Sequence, residues 1–317
     1  MIIITVNNRI KILKMRVNKM KKIIFDTDIG CDCDDVGALC LLLSAEKRGH
    51  CELAAVTLSS PYETAAPCVG AILEQYGRKD VPIGSLCKPS ENYYPHGDNY
   101  SAGVAEAFPS DIAPVSDAVS LIRALLVGSA EKVTLVATGP LPNINAFLSS
   151  EPDEHSPLDG VTLAMRKLDE IVIMGGWFES FEGGEQPRPE FNIVNDIAGA
   201  AGVFEKSPVP VTVLPFEAGL QVYSGSEMVK KYGHNQPSSL SYILHGSSGG
   251  RDSWDPATAL YAVYGCGAEL ELSEPGKIRV SDDGMTNFTP DPSGKHRYLR
   301  RTVTREALAK RIDEAID

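Results

Sequence analysis

The densest chemistry in this chain lies in Asp26-Thr27-Asp28-Ile29-Gly30-Cys31-Asp32-Cys33-Asp34-Asp35, a short segment carrying five carboxylates. Like charges this close raise one another's pKa or require a cation, and an all-oxygen set suits a hard divalent ion such as calcium. Gly30 permits the tight backbone path such a loop needs. The bland alternative is a solvated acidic loop whose last aspartates cap a helix beginning near Val36, where the helix dipole favours negative charge. That accounts for one or two of the five. It does not explain why the run begins where the apolar stretch Lys22-Ile23-Ile24-Phe25 ends.

Three site classes compete for the segment. An EF-hand loop needs a helix before it and a glutamate at its twelfth position, where this chain has Gly37. A phosphatase of the aspartyl-phosphate kind also opens on a strand and Asp-x-Asp, with Asp26 as nucleophile and Asp28 as acid, although Gly30 stands where its usual hydroxyl residue would be. Zinc at Cys31 and Cys33 would have two thiols one residue apart and no histidine close in sequence, a poor tetrahedral set.

Placing the loop requires a strand before it and a helix after it, and the chain supplies both. Lys22–Phe25 reads as a buried strand, Val36–Lys47 as a helix, Glu52–Leu58 as a second strand, and Ala65–Tyr76 as a second helix ending at Gly77. The rhythm continues with strands at Val81–Gly84, Val133–Ala137, Glu170–Met174 and Val209–Leu214. Helices fall at Ser116–Ser129, opened by Ser116 as cap, after Pro142, and at Ile197–Glu205. Alternation of this kind implies one α/β domain with a mostly parallel open sheet covered by helices on both faces. In such sheets ligands collect beyond the carboxyl ends of the strands. Asp26 and Asp28, Thr138-Gly139-Pro140 and Gly175-Gly176-Trp177 each follow an apolar strand, so their loops can converge on one cleft.

The tail reads differently. Lys277–Val280, Asp282-Asp283-Gly284 and Tyr298–Arg301 predict a small antiparallel hairpin near the C-terminus, closed by a helix after Thr304. Residues 1–20 read as a loose extension, equally well explained by Met20 as the true start, and 21–317 as one domain.

Composition narrows the function classes. Apolar residues at 43% and charged residues at 23% imply an ordinary packed core. A net charge of -12 excludes a surface built to neutralise nucleic-acid phosphates and favours a small-molecule substrate. Seven scattered cysteines suit a reducing, cytoplasmic setting without disulfides, and no segment approaches the length of a membrane span. A homo-oligomer is compatible with this composition.

Other residues carry two readings each. Asp255-Pro256 is a helix cap followed by proline in the first turn, or a ligand; Asp196 reads as a cap. Trp177, Phe178 and Trp254 are core aromatics or stacking platforms for a base. Tyr93, Tyr94 and His96 lie in a loop that reads as a lid or as plain surface. Gly183-Gly184 and the glycines from Gly246 to Gly250 form loops without the Lys-Ser or Lys-Thr that would cradle a phosphate.

Taken with Thr138-Gly139-Pro140-Leu141 and Asn143, Met174-Gly175-Gly176, Pro189-Glu190-Phe191-Asn192 with Asp196, and Trp254-Asp255-Pro256, the aspartate loop resembles the signature of the nucleoside hydrolases that prefer inosine and uridine. The segments match in order from Lys21 onward. The resemblance implies a calcium-dependent enzyme that hydrolyses the N-glycosidic bond of a ribonucleoside. It implies that Asp28 and Asp35 bind calcium by carboxylate, Thr138 by its backbone carbonyl and Asp255 from the far side of the sheet. Asp34 would be the general base, with Asp32 the alternative because Cys31-Asp32-Cys33 makes this loop two residues longer than the short signature. Glu190 and Asn192 would hydrogen-bond the ribose hydroxyls, Asn192 counting also with the catalytic set, and Asn143 would support the site.

The physical logic stands beside the resemblance. Calcium takes six to eight oxygens, so protein ligands can share it with two sugar hydroxyls and a water of lowered pKa. Carboxylates then stabilise the positive charge that grows on the ribose as the bond breaks. Well-known members have a histidine where this chain has Trp254, and an indole cannot act as an acid. Leaving-group activation would fall to another group, His96 among them, or to a labile substrate. A calcium-stabilised nucleoside-binding protein without catalysis is the non-enzymatic alternative.

Overall fold

The computed structural model describes residues 2–6, 9–13, 20–88, 99–181 and 184–317. Eight strands lie parallel in one sheet, in the order Ser116–Asp117, Ile83–Ser85, Cys51–Leu58, Lys21–Thr27, Val133–Ala137, Leu168–Met174, Val211–Leu214 and His296–Arg301. Successive side chains of a strand point to opposite faces, and both faces here are apolar. Ile23 and Phe25 pack on one side with Val136, Val172 and Leu214. Ile24 packs on the other with Leu135, Ile171, Ile173, Val211 and Val213. Helices therefore cover both sides, as expected for a doubly covered parallel sheet.

On the first side Asp34–Lys47 is buried from Asp34 to Ala45, between the sheet and the helices Trp254–Tyr264 and Arg305–Ile316. A helix apolar nearly all round belongs in such a place. On the second side lie Ala118–Gly128, Pro142–Leu148 and Ile197–Lys206.

Two local expectations change. The helix expected to open at Ser116 begins at Ala118; Asp117 is its cap, accepting from the Ser120 amide at 3.0 Å, while Ser116 opens the two-residue edge strand Ser116–Asp117. The C-terminal hairpin is present but pairs Gly276–Val280 with Thr286–Pro290. The Tyr298–Arg301 segment instead belongs to a strand that adds in parallel to Val211–Leu214 and antiparallel to Leu270–Leu272. A turn signal fixes where a chain reverses, and here Ser281–Met285 closes a shorter reversal than the sequence suggested. None of the seven cysteines forms a disulfide. Ile2–Val6 pairs with Arg9–Leu13, apart from the main sheet. Among the described residues no helix is long and apolar enough to cross a membrane.

Candidate active site and cation seat

The strand Lys21–Thr27 delivers the aspartate loop at its carboxyl end, and Gly30 turns it at φ +126°, where any side chain would be strained. Asp34 and Asp35 then occupy the first turn of the helix Asp34–Lys47. From the far end of the chain, Asp255 occupies the first turn of Trp254–Tyr264. The Asp255 amide donates to Asp34 Oδ2 at 3.1 Å across 221 residues of sequence. Two helix N-termini thus meet, and their dipoles favour negative charge at the meeting point.

Asp35 is fixed by hydroxyls from two neighbouring strand ends: Thr27 donates to Oδ1, and so does Thr138, at 3.0 Å. Asp34, Asp35 and Asp255, all buried, each bring a carboxylate oxygen to within 4.8 Å of the others. Asp28 joins them on the wall of one cavity, with Thr138, Glu190 and Asn192. Burial, reinforced by the neighbouring carboxylates, pushes Asp34, Asp35 and Asp255 well above the usual carboxylate range. Asp28 is pushed up to about 8 by the same two causes, with Asp34 and Asp32 the chief neighbours. Buried like charges of this density are stable only when protonated or shared by a cation. The donors are all oxygen, which fits a hard dication such as calcium or magnesium.

Asp32 stands apart from that set. Its carboxylate receives Arg251 Nη2 at 2.6 Å and Nε at 2.9 Å. Burial raises its pKa, but the bonds and charge of Arg251 outweigh that and hold it below the ordinary value. Asp26 does not line the cavity. It accepts from Thr57 at 2.6 Å and from Asn143 at 2.8 Å, and burial holds it at about 6. An aspartyl-phosphate mechanism therefore lacks an accessible nucleophile at Asp26.

Glu190 caps the short helix Phe191–Val194, its carboxylate accepting from the amides of Asn192 at 3.0 Å, Ile193 at 3.3 Å and Gly176 at 3.0 Å. Burial holds it at about 7. Asn192 donates to the Thr138 carbonyl at 2.8 Å, which ties two strand-end loops together beside the carboxylates.

Two sequence candidates lie elsewhere than expected. Asn143 sits behind the strand, fully buried, spanning Asp26, the Leu58 carbonyl and the Cys87 amide; it holds the loop and has no face on the cavity. Trp177 is 1% exposed, with its indole donating to the Glu179 carbonyl, and Phe216 lies against it at 4.7 Å between rings. His96 falls outside the described residues, as do Tyr93 and Tyr94. Trp254 does line the cavity, stacked on Phe216 at 5.2 Å and with the Arg251 guanidinium over its ring at 5.1 Å. Asp255 is not the helix cap, because Ser253 takes that position; Asp196 is a cap, accepting from Gly199 at 3.1 Å.

Phe216 and Arg251 escaped the sequence reading. Phe216 follows the strand Val211–Leu214 by two residues, so the strand-end rule that selected Thr138 and Gly176 would have selected it too. Arg251 carried only the signal of a lone cation near an acidic site. A larger groove, about 1390 Å³, lies between helix ends near Lys47, Tyr76 and Lys231, where it gathers mixed charges and no ligand set.

The model of the inosine-uridine preferring nucleoside hydrolase family matches residues 23–307. The chain belongs to this family. The pyrimidine-specific ribonucleoside hydrolase RihA of Citrobacter koseri is 34% identical over 211 residues, 63% of this chain and 60% of the relative, so the match spans well under two thirds of that protein. Among solved structures, a plant nucleoside hydrolase superposes with a TM-score of 0.69 at 24% identity, covering 94% of this chain and 99% of its own. The inosine-uridine preferring nucleoside hydrolase of Bacillus anthracis gives 0.70 at 20% identity, covering 94% and 98%. At these identities the structures establish a shared fold, and family membership rests on the family match.

Proposed function

We propose that this chain hydrolyses the N-glycosidic bond of a ribonucleoside, releasing ribose and the free base, with calcium as its cofactor. The observation that carries the reading is the meeting of Asp34, Asp35 and Asp255 on a cavity that also presents Asp28, Glu190, Asn192 and an aromatic wall. When bound, calcium supplies a fixed point for the ribose hydroxyls and lowers the pKa of a coordinated water.

The chain's own residues divide the remaining work. Asp34, Asp35 and Asp255 hold the cation, with Asp28 and the Thr138 carbonyl at its edge. The proton of the attacking water goes to Asp28. Around it, Asp35 is bonded by two threonine hydroxyls, Asp34 by the Asp255 amide and Asp32 by Arg251. Among the described residues no other side chain hydrogen-bonds the Asp28 carboxylate, which leaves its oxygens able to accept. This exchanges the roles that the sequence resemblance gave to Asp28 and Asp34, and it removes Asp32 as a base because a bidentate guanidinium lowers its basicity.

Glu190 and Asn192 position the ribose from the opposite wall, and the remaining carboxylate charge stabilises the cationic sugar as the bond breaks. Phe216 and Trp254 form the flat face that suits a departing base. A ribose-release assay over uridine, cytidine, inosine and adenosine, run with calcium and with a chelator, tests the reading. Chelator-insensitive turnover would remove the metal from it, and absence of ribose with every nucleoside would leave a binding protein.

A further inference from the structure

Zinc looked poor from the sequence because Cys33 has no histidine near it in the chain. The fold supplies one: His245 follows the helix Pro237–Leu244 and lies beside the aspartate loop. Asp32, Cys33 and His245 each bring one ligand atom to within 4.8 Å of the other two. We propose that these three residues form a second metal site, selective for a thiophilic ion such as zinc and separate from the all-oxygen seat of Asp34, Asp35 and Asp255.

Three features point to a ligand set. His245 Nδ1 meets Ser247 Oγ at 2.8 Å, and its Nε2 faces Asp32 Oδ1 at 3.7 Å. A partner on one ring nitrogen fixes the tautomer and aims the other, the arrangement by which ligating histidines are oriented. Ser247 also lies beside the Cys33 thiol, so one hydroxyl borders two of the donors. The donor types are sulfur, nitrogen and oxygen, which suit zinc and disfavour calcium.

The geometry requires a small adjustment. Tetrahedral zinc, with bonds of about 2.0–2.3 Å, places its donors roughly 3.3–3.8 Å apart, so the three atoms need to close by about an ångström. Two glycines with positive φ, Gly246 and Gly250, flank Ser247 and give the histidine side that freedom. As the zinc–sulfur bond forms, the Cys33 thiol gives up its proton to solvent. Asp32 must exchange its bonds to Arg251 for the ion, which leaves Arg251 with Asp252 at 3.1 Å. Because Arg251 also lies over Trp254, metal at this site would reach the cavity wall through one side chain.

Cobalt(II) is the probe, since a cobalt–thiolate bond absorbs in the near ultraviolet and cobalt on oxygen ligands alone does not. The full chain is titrated with cobalt in a large excess of calcium, which fills the oxygen seat. A saturable charge-transfer band, lost in Cys33→Ser and in His245→Gln but retained in Cys266→Ser, is the expected result, with zinc displacing cobalt and bleaching the band. Circular dichroism and melting of Cys33→Ser and His245→Gln establish that they are folded. No band in the parent chain, or a band of undiminished strength in folded Cys33→Ser, overturns the site. The readout is independent of nucleoside turnover, so failure of the proposed hydrolase activity leaves it intact.

Discussion

With no cation in the proposed seat this protein should lose stability as the pH rises, which is the reverse of ordinary acid denaturation. Asp28 illustrates the size of the effect. Its pKa is 3.8 when exposed and about 8 in the fold without a cation, raised first by burial and then by Asp34 and Asp32. A folded-state pKa above the unfolded value means that the native state holds a proton that the unfolded state gives up. The contribution is neutral below about pH 4 and turns unfavourable as the pH climbs to about 8. Each pKa unit is worth about 1.36 kcal/mol, so at pH 7 Asp28 alone costs the metal-free protein about 4 kcal/mol. Asp34, Asp35 and Asp255 shift in the same direction.

Calcium bound as proposed would reverse the sign by favouring the ionised carboxylates, so stabilisation by the ion should be small near pH 4.5 and large near pH 8. At a few degrees per kcal/mol for a chain of this size, the separation in Tm should be on the order of 10 °C at neutral pH. Calorimetric melts in calcium and in chelator, taken every half unit of pH, measure it. Two curves that run parallel across that range would show that the carboxylates do not share a cation, and the reasoning behind the cation seat would fail. Asp255→Asn sharpens the test: it should raise the Tm in chelator while reducing the gain from calcium.

Further outcomes follow from single contacts. Asp28→Asn, which keeps the shape and removes the basic oxygen, should lower kcat by about 10²- to 10⁴-fold, the usual yield of a general base, and a smaller loss in the ribose assay would return that role to Asp34. Trp254→Ala should raise KM roughly two- to tenfold through loss of stacking, with kcat less affected; an unchanged KM would place the base elsewhere. Asn143→Ala deprives Asp26 and the Leu58 carbonyl of a buried donor and should cost about 1–3 kcal/mol in urea unfolding, with an unchanged midpoint arguing that water replaces the amide. A chain beginning at Met20 should melt at the same temperature as the full chain, because the pairing of Ile2–Val6 with Arg9–Leu13 adds no strand to the main sheet.

The sheet was legible because its strands are short, apolar runs separated by helical segments, and a doubly covered parallel sheet admits little else. The strand Val133–Ala137 has the bounds read from its residues, and Lys21–Thr27, Cys51–Leu58 and Leu168–Met174 extend theirs by one to three residues. The C-terminal region was read less well because its strands alternate between polar and apolar residues, so any two of them make a plausible pair. Only tertiary packing against Val211–Leu214 assigns His296–Arg301 to the main sheet. Burial likewise decided between Trp177 and Phe216: both follow strands, and the chain gives no sign of which ring faces inward.

In the site, residue types were visible while directions were not. The aspartate loop announces a cation, yet its five carboxylates divide three ways once folded: Asp26 turns back toward Asn143 behind the cavity, Asp32 pairs with Arg251 on the cavity wall, and Asp28, Asp34 and Asp35 line the same cavity without a cationic partner among the described residues. That division depends on partners at sequence distances of 117 and 219 residues, which no local pattern encodes. Asp255 makes the same point from the other end. Local rules read Asp-Pro as a cap, but Ser253 occupies that place two residues earlier, and the helix presents the Asp255 carboxylate to Asp34 and Asp35. A cap satisfies amides of its own helix, whereas Asp255 uses its own amide to bond Asp34 and keeps its carboxylate for the seat. The same backbone step therefore joins the two halves of the site and supplies its third charge.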